Sequence, residues 1–108
     1  MTKYVRVARQ AIAARLAENA EPCSLWAISC LADETARQAG RRSELYSSLY
    51  EYADLLPAGW KTQWLTAKGG SGDNMLMVVP GNWVPGQAKS QSLLLGAGVL
   101  VPAETMVD

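Results

Sequence analysis

The chain has 108 residues, the size of one domain, and it is 49% hydrophobic and 19% charged, too apolar and too weakly charged to stay disordered. Ten basic and ten acidic side chains cancel to a formal charge of zero, so no overall field draws in a polyanion or a membrane surface, and any electrostatic partner must be met by a local patch. With no histidine, the composition removes Ser-His and Cys-His nucleophile pairs, imidazole acid-base catalysis and most transition-metal sites.

The opening segment "MTKYVRVARQAIAARLAENAE" carries arginines through what would be the apolar part of a signal peptide, and Glu18 and Glu21 argue against a transit sequence. No run approaches the roughly 20 apolar residues of a membrane span, and a soluble, cytoplasmic protein is the expectation. Residues 3–20 are rich in alanine, with no interior glycine or proline, and predict a helix. At about 100° per residue, Val5, Ala8, Ile12 and Leu16 share its core face, while Lys3, Arg6, Arg9 and Gln10 gather on the wet one. Pro22 disfavours helical geometry at the residue before it and ends the element.

Ser24 is placed to cap a second helix over residues 24–39, in which Leu25, Ile28, Leu31 or Ala32, Thr35 and Ala39 recur at helical spacing. Gly40 supplies its C-terminal turn. Cys23 and Cys30 lie about 10 Å apart if both are on one helix, too far for a bridge, so free thiols are expected, with Cys30 in the core. Ser43 is read as the cap of a third helix over residues 43–56, with Leu45, Leu49, Tyr52 and Leu56 as its buried stripe and "PAG" at 57–59 as its stop.

Beyond Leu56 most of the glycines and prolines appear. "WKTQWLTA" alternates Trp60, Thr62, Trp64 and Thr66 against Lys61, Gln63 and Leu65, as a strand over 60–67 requires. "KGGSGDN" turns the chain and "MLMVV" returns it over 75–79, giving a hairpin. "VPG" at 79–81 and again at 84–86 suits type II turns, and "SLLLGAGVLV" predicts a buried strand over 92–101. The fold class is therefore α+β: one domain, residues 1–108, with N-terminal helices packed on a C-terminal antiparallel sheet.

None of the short motifs completes a chemical signature. "KGGSGD" lacks the Gly-Lys-Ser/Thr ending of a phosphate loop, and "GAG" at 96–98 has Val101 where a dinucleotide fingerprint needs glycine. Glu51 and Asp54 can share a helix face, but such pairs are routine on solvated helices. No cofactor and no enzymatic activity are expected.

Two binding surfaces stand out instead. Trp83 lies between two Pro-Gly turns, and Tyr46 and Tyr50 sit one turn apart beside the third buried stripe. Tryptophan and tyrosine dominate interface hot spots, so these three residues are candidates for contact with a protein partner or with a second copy of the chain. Trp60 and Trp64 are assigned to closing the sheet against the helices.

The second surface is basic. Ala36 and Gly40 have the spacing of a helix-turn-helix turn, with Tyr46 and Leu49 as inner contacts and the hairpin as a wing. On that pattern residues 3–79 resemble a winged helix-turn-helix protein, which implies DNA contacts by Arg37, Arg41, Arg42, Lys61 and Lys68. Glu44, Glu51 and Asp54 on the same third helix oppose it. A small-molecule pocket between helices and sheet, lined by tryptophan, is the third possibility.

Overall fold

The computed structural model describes residues 2–68, 74–84 and 99–102. The chain forms α1 (Lys3–Glu18), a two-residue strand β1 (Cys23–Ser24), α2 (Leu25–Gln38), a 3-10 helix (Leu49–Leu55), then β2 (Trp60–Lys68), β3 (Asn74–Pro80) and β4 (Val99–Pro102). Apart from the two-residue β1 between α1 and α2, helices come first and the sheet after, an α+β arrangement.

The Thr2 hydroxyl caps α1 by accepting from Val5 N–H, and the Ser24 hydroxyl caps α2 by accepting from Ala27 N–H. Each satisfies a donor that the first helical turn leaves unpaired. Helix α2 ends in a Schellman turn: Gly40, at φ +112°, sends its N–H to Arg37 C=O, and Arg41 N–H reaches Ala36 C=O. Ala8, Ile12 and Leu16 of α1 are buried against Leu25, Ile28 and Ala32 of α2, with Tyr52 and Leu55 of the 3-10 helix and Val78 of β3 completing this core. Arg9 of α1 fastens the layer by donating to Asp54 C=O at 2.8 Å.

The strands run in the order β1-β3-β2-β4, every neighbouring pair antiparallel. Register fixes the two faces. Thr62 pairs with Val78 and Trp64 with Leu76, while Gln63 pairs with Met77 and Lys61 with Val79. Directly paired residues point the same way, so Trp60, Leu76 and Val78 meet the helices. Leu65, Met77 and Val79 form a second buried cluster on the opposite face, against which Met75 and Trp83 pack.

Three expectations need correction. The third helix, expected over 43–56, exists only as the 3-10 helix from Leu49 to Leu55. Its cap is Ser48, in a capping box: the Glu51 carboxylate accepts from Ser48 N–H at 3.1 Å. Residues 43–48 stay non-helical because side chains occupy their backbone groups. Asp33 Oδ1 accepts from Leu45 N–H, the Tyr52 hydroxyl oxygen accepts from Tyr46 N–H, and the Arg41 guanidinium donates to Ser43 C=O and Glu44 C=O. These bonds, two of them from distant side chains, compete with the helical ladder.

The last strand is described over Val99–Pro102, overlapping the end of the expected 92–101, and residues 92–98 lie outside the described residues. Pro80 and Gly81 do not form a type II turn about their own bond. Trp83 N–H instead reaches Pro80 C=O, placing proline first in the turn, and Gly81 lacks the positive φ that glycine has in a type II turn. The second "VPG" extends outside the described residues. Cys30 is exposed rather than buried, and both thiols are free. Burial pushes the Cys23 thiol above its ordinary value, with Arg15 opposing.

Candidate functional site

Three large aromatic rings are exposed. Trp26, Tyr50 and Trp64 are 67%, 62% and 44% exposed. The rings of Tyr50 and Trp64 stand 6.5 Å apart, tilted by 55°. Trp26 follows the β1–α2 junction and, with Tyr46 and Leu49, lines a surface pocket of about 190 Å³. Leu49, which lines the pocket, is followed in the chain by Tyr50.

Local sequence explains these exposures. Leu25, Ile28, Ala32 and Ala36 turn inward along α2. Trp26 lies about 100° from Leu25 and shares a strip with the exposed Cys30, Glu34 and Arg37. A tryptophan in phase with charged residues was the legible signal for this position. Trp64 has the same alternation as Trp60, but only Trp60 packs on the helical core. Four residues further along β2, at roughly 3.3 Å per residue, Trp64 meets the Tyr50 ring instead.

The pocket lies between α2 and residues 44–52. Its more buried part is held by Asp33 and Tyr52: the Tyr52 hydroxyl donates to both carboxylate oxygens of Asp33, at 2.7 and 2.9 Å. Burial and this hydrogen bond push the Tyr52 phenol up to about 12, with the charges of Asp33 and Glu44 adding to the effect. The phenol stays protonated and acts as a donor. Tyr46 meets Tyr52 edge to face, ring centroids 5.1 Å apart.

The interface candidates from sequence fall into two groups. Tyr46 and Tyr50 belong to the surface just described, whereas Trp83 packs on Leu65, Met77 and Val79, the sheet face turned away from the helices. Its indole N–H is buried and finds no acceptor among the described residues.

The basic candidates are dispersed. Arg37 is paired with Glu34, and that hydrogen bond holds the Glu34 carboxyl below its ordinary value. Arg41 is folded onto Ser43 and Glu44, with its guanidinium 5.7 Å from the centre of the Tyr4 ring. Arg42 is exposed, Lys61 lies on the outer face of the sheet opposite Val79, and Lys68 pairs with Val99 in the β2–β4 register. The long second helix that a helix-turn-helix needs is replaced by a loop and seven residues of 3-10 helix.

Among the described residues there is no group of three or more Cys, Asp or Glu able to hold a metal ion, and no helix long and apolar enough to cross a membrane. Comparison with protein-family models, curated proteins and solved structures found no match to this chain.

Proposed function

We propose that this chain is a non-enzymatic protein-binding module whose contact surface comprises Trp26, Tyr46, Tyr50 and Trp64. The carrying observation is the exposure of three large rings, two of them within contact distance of each other and the third, Trp26, lining a pocket with Tyr46. Single exposed apolar residues are ordinary on protein surfaces, but grouped aromatics beside a pocket are the composition of interface centres. Truncating such an anchor costs about 2 kcal/mol of binding free energy, or roughly 30-fold in Kd.

The test compares wild-type chain with Trp64→Ser and Trp26→Ser. Immobilised chains are exposed to an extract of the source cells, the bound proteins are quantified by mass spectrometry, and sedimentation velocity at rising concentration detects pairing between copies. The expected result is a captured protein, or a dimer, that weakens about 30-fold in the variants. Absence of both, or a captured set indifferent to the substitutions, refutes the reading. Anisotropy of a labelled duplex serves as the comparison: binding that falls steeply with salt and is lost in Arg42→Glu would instead assign the chain to nucleic acid.

A further inference from the structure

We propose that the pocket between α2 and residues 44–49 receives an arginine side chain presented by the protein partner, an inference that rests on the protein-binding reading above. The pocket holds about 190 Å³. That is below the roughly 300–1,000 Å³ of sites for small molecules and cofactors, and it suits a single side chain.

Its chemistry selects the kind of side chain. Trp26, Tyr46, Asp33 and Glu44 line it together, so two aromatic and two acidic residues border one space. Asp33 accepts from Leu45 N–H and twice from the Tyr52 hydroxyl. A carboxylate offers about four acceptor positions, so Asp33 retains capacity for one more donor. Asp33 lies against the Tyr52 hydroxyl, and Glu44 lines the same pocket.

The neighbouring cations do not cancel that charge by direct pairing. Arg37 bonds Glu34, and Arg41 bonds the main-chain oxygens of Ser43 and Glu44. A third carboxylate, Glu51, bonds Ser47 and Ser48 at the pocket edge. An aromatic wall beside acceptors of negative charge matches a guanidinium in two ways: its flat face stacks on an indole, and its edge donates to carboxylates. Guanidinium is also weakly hydrated, so it enters a partly enclosed site more readily than an ammonium does.

The experiment is a ¹H–¹⁵N NMR titration of the whole chain with a blocked Gly-Gly-Arg-Gly-Gly peptide, and in parallel with the same peptide carrying citrulline, the neutral isostere. Saturable shifts at the Trp26 indole N–H and the amides of Leu45–Leu49 are expected, with Kd near 1 mM for so small a probe. The citrulline peptide should bind at least about tenfold more weakly, as should the arginine peptide to Glu44→Gln. Glu44 is exposed and its carboxylate makes no structural hydrogen bond, so this variant folds as wild type does.

Absence of saturable shifts in the pocket, equal binding of citrulline, or indifference to Glu44→Gln overturns the proposal. Trp64 lies outside the pocket, which separates the two readings. Partner capture that still depends on Trp64 with no arginine peptide bound refutes the arginine alone. Loss of both refutes the binding surface as well.

Discussion

The Asp33 carboxylate and the Tyr52 hydroxyl join three parts of the chain: α2, the loop at Leu45–Tyr46 and the 3-10 helix. Hydrogen bonds to charged groups contribute about 1.5–3 kcal/mol each, so Tyr52→Phe is expected to lower unfolding free energy by about that amount in urea titrations. Its pH dependence has a definite sign. The folded phenol titrates at about 12 against an ordinary 10, so between those values the unfolded chain has lost a proton that the folded chain keeps. Stability from this group is complete below 10 and declines as pH rises toward 12. Urea midpoints measured across that interval should fall more steeply for wild type than for Tyr52→Phe; parallel curves would show that the phenol is not held protonated.

At the scale of elements, two termini make separable claims. Gly40 stands at φ +112°, and a Cβ there would meet only the Tyr4 hydroxyl at an ordinary 3.8 Å. Gly40→Ala therefore loses about 1–2 kcal/mol through backbone strain alone. Ser48→Ala removes the capping box and should lose about 1 kcal/mol. Thermal or urea unfolding measures both.

The same elements show what the sequence made legible. Helix α1, helix α2 with its Ser24 cap, the Gly40 turn and the β2–β3 hairpin follow from periodicity and local turn chemistry. The third helix does not, because the bonds that unmake it come from Arg41, Asp33 and Tyr52, at separations no periodic pattern encodes. Ser48 and Glu51, three apart, carry the start signal that the chain uses, and Ser43 caps no helix. Strand β1 escaped notice because two residues are too few to alternate; its pairing with Met77 and Val78 is a tertiary fact. For the site, Tyr46 and Tyr50 were readable beside their stripe. Trp83, the other aromatic candidate, packs instead on the outer sheet face, a placement that its position between two Pro-Gly pairs does not encode.

For the whole molecule, the exposed rings separate binding from stability. Trp26→Ser should change unfolding free energy by no more than about 0.5 kcal/mol, because its side chain is largely exposed and joins no buried cluster, whereas Trp64→Ser should cost about 0.5–1.5 kcal/mol through loss of the Tyr50 contact. Calorimetry checks this, and a larger loss would mean that the rings support the fold. The arginines call for similar care. Arg41→Glu would break the bonds to Ser43 and Glu44 and so disturb the loop that shapes the pocket, whereas Arg42 is exposed and makes none of these contacts.

Ser24 is both the last residue of β1, paired with Met77, and the cap of α2. A chain that leaves a strand and enters a helix at one residue has no linker to bend. Trp26, two residues on, is thereby held in fixed relation to Trp64 through β1, β3 and β2. A partner would meet rings already in position, with little ordering entropy left to lose on this side. Association should then proceed at an ordinary rate of about 10⁵–10⁷ M⁻¹s⁻¹, and substitutions in the aromatic surface should shorten the lifetime of the complex rather than slow its formation.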